Sequence, residues 1–238
     1  MIAVKTAMVM AAGLGTRMRP LTNTRPKPLV EVAGKAMIDH CFDKLEQAGV
    51  STVVVNTHYL PDALESHLAS ADYPFEFRVS DERLQLMETG GGLVQAQQLI
   101  DEDIFFSINS DNLWTDGAEN SFQRLADDWN DNQMDGLLLL VPRDSAYNYN
   151  GAGDFELDEM GRISRRKPES RAPYVWTGIQ LLSKRFLRDA PEGPFSTNIL
   201  WDRAIGEDRL FGIVHDGDWF EVGSPDAIEP TEKALASA

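Results

Sequence analysis

The fold of this chain is decided by the stretch Ala7-Met-Val-Met-Ala-Ala-Gly-Leu-Gly-Thr-Arg-Met-Arg-Pro-Leu-Thr22, which Arg25-Pro-Lys-Pro28 follows closely. Its first residues, 7–12, form a short apolar run that is typical of a buried strand. The run ends in Gly13-Leu-Gly15, where the backbone can turn sharply and lie close to a ligand. A glycine turn after a strand exposes backbone N–H groups, which favour bound phosphate. The stretch therefore predicts a strand followed by an anion-binding turn.

Cationic side chains follow this turn at Arg17, Arg19 and Lys27. Pro26 and Pro28 restrict the backbone on either side of Lys27, and thereby where its ammonium group points. The pattern is not a dinucleotide fingerprint, because Met18 stands at the third glycine position. It is not a P-loop either, since that motif ends in Gly-Lys-Ser/Thr. We interpret the segment as a site for several phosphate charges.

Composition sets limits on the class of protein. The chain has 238 residues and a net charge of −16, which argues against a binder of nucleic acid or anionic membranes. Its single cysteine, Cys41, excludes an internal disulfide and has the spacing of a buried helical residue. The first residues lack the apolar core of a signal peptide, and no run approaches transmembrane length. We expect a cytoplasmic protein.

Short apolar runs alternate with amphipathic segments along the chain. Strands are predicted at 7–12, 51–56, 75–79, 104–109, 136–141, 174–182 and 210–215, with hairpin pieces between 147 and 161. Helices are predicted at 37–48, 61–69, 92–100, 122–129, 183–187, 199–205 and 225–235. Because parallel strands need crossover helices, this alternation predicts an α/β fold with a mostly parallel central sheet.

The quoted residues also resemble a known family. Ala11-Ala-Gly-Leu-Gly-Thr-Arg-Met-Arg-Pro-Leu-Thr22 with Arg25-Pro-Lys-Pro-Leu-Val30 is similar to the sugar-1-phosphate nucleotidylyltransferases, whose signature is Gly-x-Gly-x-Arg followed by Pro-Lys-Pro. The resemblance covers essentially the whole chain and implies a three-layer Rossmann-like sandwich of the nucleotide-diphospho-sugar transferase type. We expect one domain over residues 1–238, in which 1–112 mainly bind the nucleotide and 113–238 mainly bind the sugar.

The resemblance assigns the nucleotide to two segments. The glycine loop and Arg17 would hold the triphosphate, and Lys27 would neutralise charge at the reacting α-phosphate, so both are expected catalytic residues. Glu88-Thr-Gly-Gly-Gly92 stands where the family contacts the base, with glycines that let backbone groups read its edge. The expected nucleotide-binding residues are Ala11, Ala12, Gly13, Gly15, Thr16, Arg17, Glu88, Thr89, Gly90 and Gly91.

A metal site is expected at Asp111, which follows a buried strand at the edge where open α/β sheets bind ligands. The resemblance makes Asp111 a Mg²⁺ ligand, although Ser110 replaces the glycine usual before it. Trp219-Phe-Glu-Val-Gly-Ser224 resembles the family's Trp-x-Asp-x-Gly-Thr, so Glu221 stands where a second metal-binding Asp is expected. The longer side chain leaves three alternatives: a retreated backbone, binding through water, or another divalent ion such as Mn²⁺.

The sugar 1-phosphate is assigned to the second half of the chain. Arg165-Arg-Lys-Pro168 is similar to the family's Glu-Lys-Pro, with Lys167 at the lysine that meets the sugar phosphate. Arg166 replaces an acidic residue and suits a substrate with an extra anion, such as the lactyl carboxylate of muramic acid. The expected sugar-phosphate-binding residues are Asn112, Gly151, Gly153, Asp154, Lys167, Thr177 and Gly178.

The reaction implied by the resemblance is nucleotidyl transfer from a nucleoside triphosphate to a sugar 1-phosphate, in a monomer or small homo-oligomer. The Glu-Thr-Gly-Gly-Gly segment looks most like the uridylyltransferases that act on N-acetylmuramic acid 1-phosphate in cell-wall recycling. A mannose-1-phosphate guanylyltransferase, for which Gly-Thr-Ala-Gly is expected there, and a glucose-1-phosphate thymidylyl- or uridylyltransferase remain alternatives. A metal-dependent glycosyltransferase would not need the Pro-Lys-Pro segment. A non-catalytic nucleotide-sugar sensor would be expected to have lost Arg17, Lys27 or Asp111.

Overall fold

Strands and helices alternate along the computed structural model, which describes residues 2–237. The strands are β1 Thr6–Met10, β2 Glu31–Val32, β3 Lys35–Ala36, β4 Thr52–Thr57, β5 Glu76–Asp81, β6 Ile104–Asn109, β7 Asn112–Trp114, β8 Gly136–Pro142, β9 Ala146–Tyr147, β10 Phe155–Leu157, β11 Ile163–Arg165, β12 Tyr174–Ser183, β13 Leu210–Val214 and β14 Trp219–Glu221. The α-helices are α1 Met37–Gln47, α2 Pro61–Ser70, α3 Glu88–Ala96, α4 Ser121–Asp128, α5 Asn198–Gly206 and α6 Ile228–Leu235.

The central sheet runs in the order β13-β8-β12-β6-β1-β4-β5. Strands β6, β1, β4 and β5 are parallel, and so are β13 and β8, whereas β12 is antiparallel to both of its neighbours. The hairpin β10–β11 joins at the first residue of β12. The α/β class and the mostly parallel sheet are thus confirmed. The division of function between residues 1–112 and 113–238 stays a prediction.

Helices cover both faces of this sheet, because its central strands bury side chains on both sides. In β1, Ala7 and Val9 join a core under α1, α2 and α4, while Met8 between them joins the core under α3 and α5. Successive residues of a strand point to opposite faces, so a continuous apolar run marks a strand buried on both. This produces the three-layer sandwich. Cys41 lies fully buried in the first core, as predicted, and burial raises the pKa of its thiol.

A second, three-stranded sheet lies beside the central one in the order β7-β14-β9. It brings β14, near the carboxyl end of the chain, against β7, which begins just after β6. The sequence analysis did not predict this sheet, because its strands are only two or three residues long. Strands this short carry too little periodicity to be recognised. Its register places the candidate metal ligands side by side, as described below.

Three predicted helices differ from those observed. The helix predicted at 225–235 begins at Ile228, after a 3₁₀ turn at Pro225–Ala227. The helix predicted at 92–100 begins at Glu88, so Glu88-Thr-Gly-Gly-Gly92 forms its first turns rather than a loop before it. The residues 183–187, predicted as helix, contain a single 3₁₀ turn at Lys184–Leu187. Glycine has a low helix propensity, and tertiary contacts with residues 193–197 override it in α3. No helix within residues 2–237 is both long and apolar enough to cross a bilayer.

The buried carboxylate of Asp135 connects several strand ends through hydrogen bonds to arginine side chains. Asp135 precedes β8 and is 1% exposed; its oxygens accept hydrogen bonds from Arg185 at 3.2 Å, Arg188 at 3.3 Å and Arg209 at 2.8 Å. We expect Asp135→Ala to lower the free energy of unfolding by about 3 kcal/mol, since three arginines lose the buried carboxylate that they share. Urea unfolding followed by fluorescence measures this change.

Asp131→Ala is the matched control for this prediction. Asp131 also accepts a hydrogen bond from Arg185, at 2.9 Å, but its side chain is 55% exposed. An exposed ion pair contributes at most about 1 kcal/mol. Equal losses in the two variants would contradict the structural importance assigned to Asp135.

Candidate active site

The glycine loop joins β1 to a short 3₁₀ turn at Thr16–Met18. Gly15 has a φ of 61°, a left-handed conformation that favours glycine. A Cβ atom there would lie 3.0 Å from the Cβ of Lys27 and 3.0 Å from the Cγ2 of Thr22. Thr22 also donates a hydrogen bond to the Gly15 carbonyl oxygen at 2.8 Å. Gly15 is therefore the residue that allows the loop to fold back against the Pro-Lys-Pro segment.

A cavity of about 420 Å³ opens where the carboxyl ends of the parallel strands meet. The predicted residues in its lining are Ala11, Ala12, Gly13, Lys27, Glu88, Thr89 and Asp111. Gly15 and Thr16 lie outside the lining, in the turn that shapes the loop. Open α/β sheets bind ligands at this edge, so the two predicted nucleotide segments face one another across a suitable space. We call this space the first cavity.

A second cavity, of about 200 Å³, adjoins the first. Asn109 and Asp111 line both cavities, so the two spaces meet at these residues. The second cavity also contains Arg17, Asn112, Asp154, Gly178 and Glu221 from the prediction, together with Tyr149, Trp176 and Trp219. Two cavities that share a wall of polar side chains can hold two substrates with their reacting ends in contact.

Lys27 lies at the junction. Its ammonium nitrogen donates to Asp111 Oδ2 at 2.6 Å, and its side chain is only 11% exposed. The lysine belongs to a 3₁₀ turn, Lys27–Leu29, that begins after the extended backbone of Pro26. The proline-bracketed turn and the close contact with Gly15 restrict the stem of this side chain. A buried, restricted cation of this kind suits a reaction in which negative charge develops at a fixed point.

Glu221 comes next to Asp111 through the register of the small sheet. In the antiparallel pair β7–β14, Glu221 lies opposite Asn112, the residue after Asp111. The Glu221 carboxylate is 4.0 Å from the guanidinium of Arg17, which is largely exposed. Residues far apart in the chain thus converge on a group of two carboxylates and two cations, Asp111, Glu221, Lys27 and Arg17.

The carboxylate oxygens of Asp111 and Glu221 are chemically suitable ligands for a hard divalent cation. Carboxylate oxygens are the ligands that Mg²⁺ and Mn²⁺ accept, and a small pair of carboxylates leaves room for substrate phosphate oxygens. No cluster of three or more His, Cys, Asp or Glu side chains that could hold a metal occurs among residues 2–237. Asp111 and Glu221 supply two carboxylates, so a metal ion held by this pair would take its other ligands from substrate phosphate or water.

Burial and neighbouring charge act on the acidic groups of the second cavity. Burial raises the pKa of Glu221; the charge of Arg17 opposes this rise, and that of Asp111 adds to it. Burial likewise raises the pKa of Asp154, although its carboxylate accepts a hydrogen bond from the Trp176 N–H at 3.0 Å. A positive charge bound beside these two carboxyls would favour their ionised forms and so oppose the effect of burial.

We expect Glu221→Gln to raise the melting temperature of the metal-free protein at pH 7. A carboxyl whose pKa is raised by folding destabilises the fold when ionised, above that raised pKa. The destabilisation is absent below the ordinary value of 4.5, where the folded and unfolded states are both protonated. The gain should therefore shrink as the pH falls toward 4.5. Thermal unfolding between pH 4 and pH 8, in the presence of a chelator, measures it.

Glu229→Gln is the control for this pH series, because Glu229 is a glutamate with a 76% exposed side chain. Its substitution should change the melting temperature little at any pH. A melting temperature of Glu221→Gln at or below that of the wild type at pH 7 would show that Arg17 and Lys27 fully compensate for burial of the carboxylate.

The predicted sugar residues divide into two groups. Asn112, Asp154 and Gly178 line the second cavity; Gly178 has a φ of 84°, and a Cβ there would lie 1.8 Å from Asn112 Nδ2. The remaining residues, Gly151, Gly153, Lys167 and Thr177, lie outside its lining. Thr177 is fully buried and donates to the Leu139 carbonyl oxygen, and Lys167 is exposed at the surface. Their contact with sugar phosphate stays a prediction.

Gly90 and Gly91, which were expected to contact the base, form hydrogen bonds within the protein. The N–H groups of Gly90 and Gly91 both donate to the Phe195 carbonyl oxygen, at 2.8 and 3.1 Å. A Cβ on Gly90 would lie 2.4 Å from the Phe195 ring, and one on Gly91 would lie 2.5 Å from the Gly193 oxygen. Their N–H groups are thus already paired within the protein, and contact of these glycines with a base stays a prediction that would involve other backbone groups. The two glycines let α3 pack against residues 193–195.

Several cavity residues were missed by the sequence analysis. Asn56 lies near the end of β4 and lines the first cavity, and Asn109 ends β6 and lines both. The signal that identified Asp111, a polar residue at the carboxyl end of a buried strand, also applies to these asparagines. Tyr149 and Trp176 have no such signal, because they reach the second cavity through loop packing and a register shift in β12.

Comparison with known proteins gives the family. The model of the family described as Nucleotidyl transferase matches residues 6–237, nearly the whole chain. The chain belongs to the nucleotidyl transferase family. It is 41% identical, over 99% of both chains, to an N-acetylmuramate alpha-1-phosphate uridylyltransferase of Caulobacter vibrioides. A protein of the same name from Neisseria meningitidis serogroup B is 31% identical over 98% of both chains.

A solved structure agrees in fold. The inositol-1-phosphate CTP transferase from T. maritima superposes with a TM-score of 0.78 over 99% of this chain and 96% of that one, at 20% identity. Identity at this level supports the shared fold alone. Family membership is established by the sequence match, and it agrees with the resemblance seen in the glycine loop and the Pro-Lys-Pro segment.

Proposed function

We propose that this protein transfers a uridylyl group from UTP to N-acetylmuramic acid 1-phosphate, forming the UDP-sugar and pyrophosphate. The observation that carries the proposal is the junction of the two cavities, where Lys27, Asp111, Glu221 and Arg17 converge. The choice of base and sugar is supported by the relatives from Caulobacter and Neisseria, which match this chain end to end. A cytoplasmic role in recycling cell-wall sugars is part of the same proposal.

The proposed reaction is an in-line displacement at phosphorus. A phosphate oxygen of the sugar 1-phosphate attacks the α-phosphorus of UTP, the new P–O bond forms, and the bond to the β-phosphate oxygen breaks. The attacking oxygen is already an anion, so no general base is needed. The barrier is the repulsion between two polyanions and the charge that builds on the α-phosphate. Positioning and electrostatic neutralisation therefore provide most of the rate enhancement.

The roles proposed for the residues are supported by their positions in the two cavities. The loop of Ala11, Ala12 and Gly13 would hold the triphosphate together with Arg17, and Lys27 would neutralise the α-phosphate at the junction. Asp111 and Glu221 would hold Mg²⁺, or Mn²⁺, which supplies positive charge to the phosphates when bound. Glu88 and Thr89 lie in the same cavity as the loop and would contact the nucleoside.

The sugar 1-phosphate would occupy the second cavity. Asn112, Gly178 and Asp154 line it and would contact the sugar, with Tyr149 and Trp176 as further walls. Lys167 remains our proposed partner for the sugar phosphate, together with Thr177, Gly151 and Gly153 around the loop. Arg166, which donates to the Ser170 carbonyl oxygen at 2.9 Å, is the proposed partner for the extra carboxylate of muramic acid.

The experiment is pyrophosphate release measured over a panel of UTP, GTP, CTP and dTTP with the 1-phosphates of N-acetylmuramic acid, mannose and glucose. We expect kcat/KM to be at least about tenfold higher for UTP with N-acetylmuramic acid 1-phosphate than for any other pair, a difference of roughly 1.4 kcal/mol in transition-state binding. A higher value for GTP with mannose 1-phosphate would replace the proposed substrates. Binding of nucleotides without pyrophosphate release from any pair would indicate a sensor.

A further inference from the structure

A chain of hydrogen bonds through two buried side chains runs from the glycine loop to the start of α3. The Ala11 N–H donates to Asn56 Oδ1 at 2.6 Å, and Asn56 Nδ2 donates to Glu82 Oε1 at 2.7 Å. The Met87 N–H then donates to Glu82 Oε2 at 3.0 Å. Asn56 and Glu82 are each 2% exposed. We call these four residues the relay.

The relay crosses three neighbouring strands at their carboxyl ends. Ala11 follows β1, Asn56 belongs to β4 and Glu82 follows β5, and these strands are adjacent and parallel in the sheet. Buried polar groups must be paired, and both oxygens of Glu82 and both polar atoms of Asn56 have partners within the relay. The relay is therefore a satisfied network in a buried place, which restricts the positions of all its members.

Helix α3 packs directly onto this network. A Cβ atom on Gly92 would lie 2.9 Å from Glu82 Oε1 and 3.1 Å from Asn56 Nδ2. Only glycine allows the helix to approach the pair so closely. Gly92 is therefore needed for α3 to pack against Asn56 and Glu82, whereas Gly90 and Gly91 are needed for it to pack against residues 193–195.

The residue after the relay is held in an uncommon conformation. Glu88 lines the first cavity with a φ of 58°, a left-handed backbone that costs a non-glycine residue roughly 1–2 kcal/mol. Such conformations persist where the surrounding structure fixes them from several sides. Here the Met87 N–H is held by Glu82 on one side, and Gly90 and Gly91 are held by the Phe195 carbonyl oxygen on the other.

We propose that Asn56 and Glu82 are positioning residues that set the distance between the two walls of the nucleotide cavity. One wall is the glycine loop, held through the Ala11 N–H, and the other is Glu88 with Thr89, held through the Met87 N–H. The inference rests on the proposed function in one respect, that the first cavity receives the nucleoside triphosphate. The relay then acts on the binding of that substrate rather than on the chemistry at Lys27.

The polarity of the relay allows a sharp test. Its central hydrogen bond runs from the amide of Asn56 to the carboxylate of Glu82. In Asn56→Asp two carboxylates face each other, and in Glu82→Gln the new amide N–H group faces another N–H. The double variant Asn56→Asp with Glu82→Gln reverses the polarity of this bond, because the amide introduced at position 82 can donate to the carboxylate introduced at position 56. The amide oxygen at position 82 still accepts from the Met87 N–H, and net charge is the same as in the wild type.

We expect each single variant to raise the KM for UTP about tenfold while leaving the KM for the sugar 1-phosphate within about twofold. The double variant should recover the wild-type KM for UTP to within about threefold, a coupling typical of residues in one network. Gln95→Ala is the matched control on α3, since it removes a hydrogen bond to the Asp81 carbonyl oxygen outside the relay. Should Asn56→Asp fail to fold, Glu82→Gln compared with the double variant is sufficient.

Hydrogen exchange gives a readout that does not depend on activity. The Met87 amide should exchange faster in Asn56→Asp, although the substituted residue lies in β4 and Met87 directly precedes α3, and the double variant should restore its protection. Unchanged KM for UTP in both single variants, or a double variant as impaired as the product of the singles, would overturn the relay. If the wild type binds no nucleotide, the proposed function fails, and the exchange of Met87 still decides whether Asn56 positions it.

Discussion

Replacing Lys27 with Ala should lower turnover by roughly 100-fold or more, the scale of losing one preorganised electrostatic group. The Lys27 ammonium is largely shielded from water and lies 2.6 Å from Asp111, at the point that both cavities share. A charge in such a place is screened little by solvent and needs no reorganisation as the α-phosphate gains charge. Steady-state pyrophosphate release at saturating substrates measures the change.

Arg25→Ala is the matched control for this variant. Arg25 is a cation of the same segment, but its side chain is 51% exposed and its nearest acidic partner, Glu31, is 3.9 Å away. Removing it should alter turnover by less than about twofold, because exposed charges contribute little. Near-normal turnover in Lys27→Ala, with the melting temperature unchanged, would refute the catalytic role of Lys27.

Asp111→Asn should lower activity by about 1,000-fold and remove its dependence on divalent metal. The substitution keeps the shape of the side chain, but it replaces a carboxylate that faces Lys27 and stands beside Glu221 through the β7–β14 register. An amide is a poor ligand for a hard cation when a carboxylate is needed for charge. Turnover during titration with MgCl₂, and separately with MnCl₂, measures both effects.

Asp81→Asn is the control for the metal experiment. Asp81 also ends a parallel strand, β5, but its side chain is 53% exposed and bonds Arg83 at the surface. Its substitution should leave the metal titration unchanged. A metal dependence that survives intact in Asp111→Asn would exclude Asp111 from the metal site and leave Glu221 without its proposed partner.

The metal experiment also bears on Glu221, where the sequence motif departs from the family's Asp. Glu221 stands directly opposite Asn112 in the small sheet, so its backbone is fixed by strand pairing and its longer side chain reaches toward Arg17. The titration tests one of the three alternatives left by the sequence, since a preference for MnCl₂ over MgCl₂ would indicate an altered ion rather than an altered backbone.

Features formed by residues adjacent in sequence were predicted well, because the sequence patterns that indicate them are local. The apolar run of β1, the glycine turn at Gly15 and the prolines around Lys27 act through backbone conformation and strand burial, which depend on a few neighbours. The same locality explains the error at α3. Glycine has a low helix propensity, so the predicted helix began only at residue 92, whereas the Phe195 carbonyl oxygen and the packing of residues 193–195 hold the preceding glycines in the helix as well.

By itself, the sequence determined the α/β class, the glycine turn after the first strand and the identity of the charged groups, because these follow from periodicity and residue chemistry. Only the tertiary structure decided which of those groups lie close to one another. The pairing of β7 with β14 brings Glu221 to Asp111, and the order β1-β4-β5 creates the relay through Asn56 and Glu82. Contacts of this kind depend on the strand register between segments distant in sequence, which a local pattern does not specify.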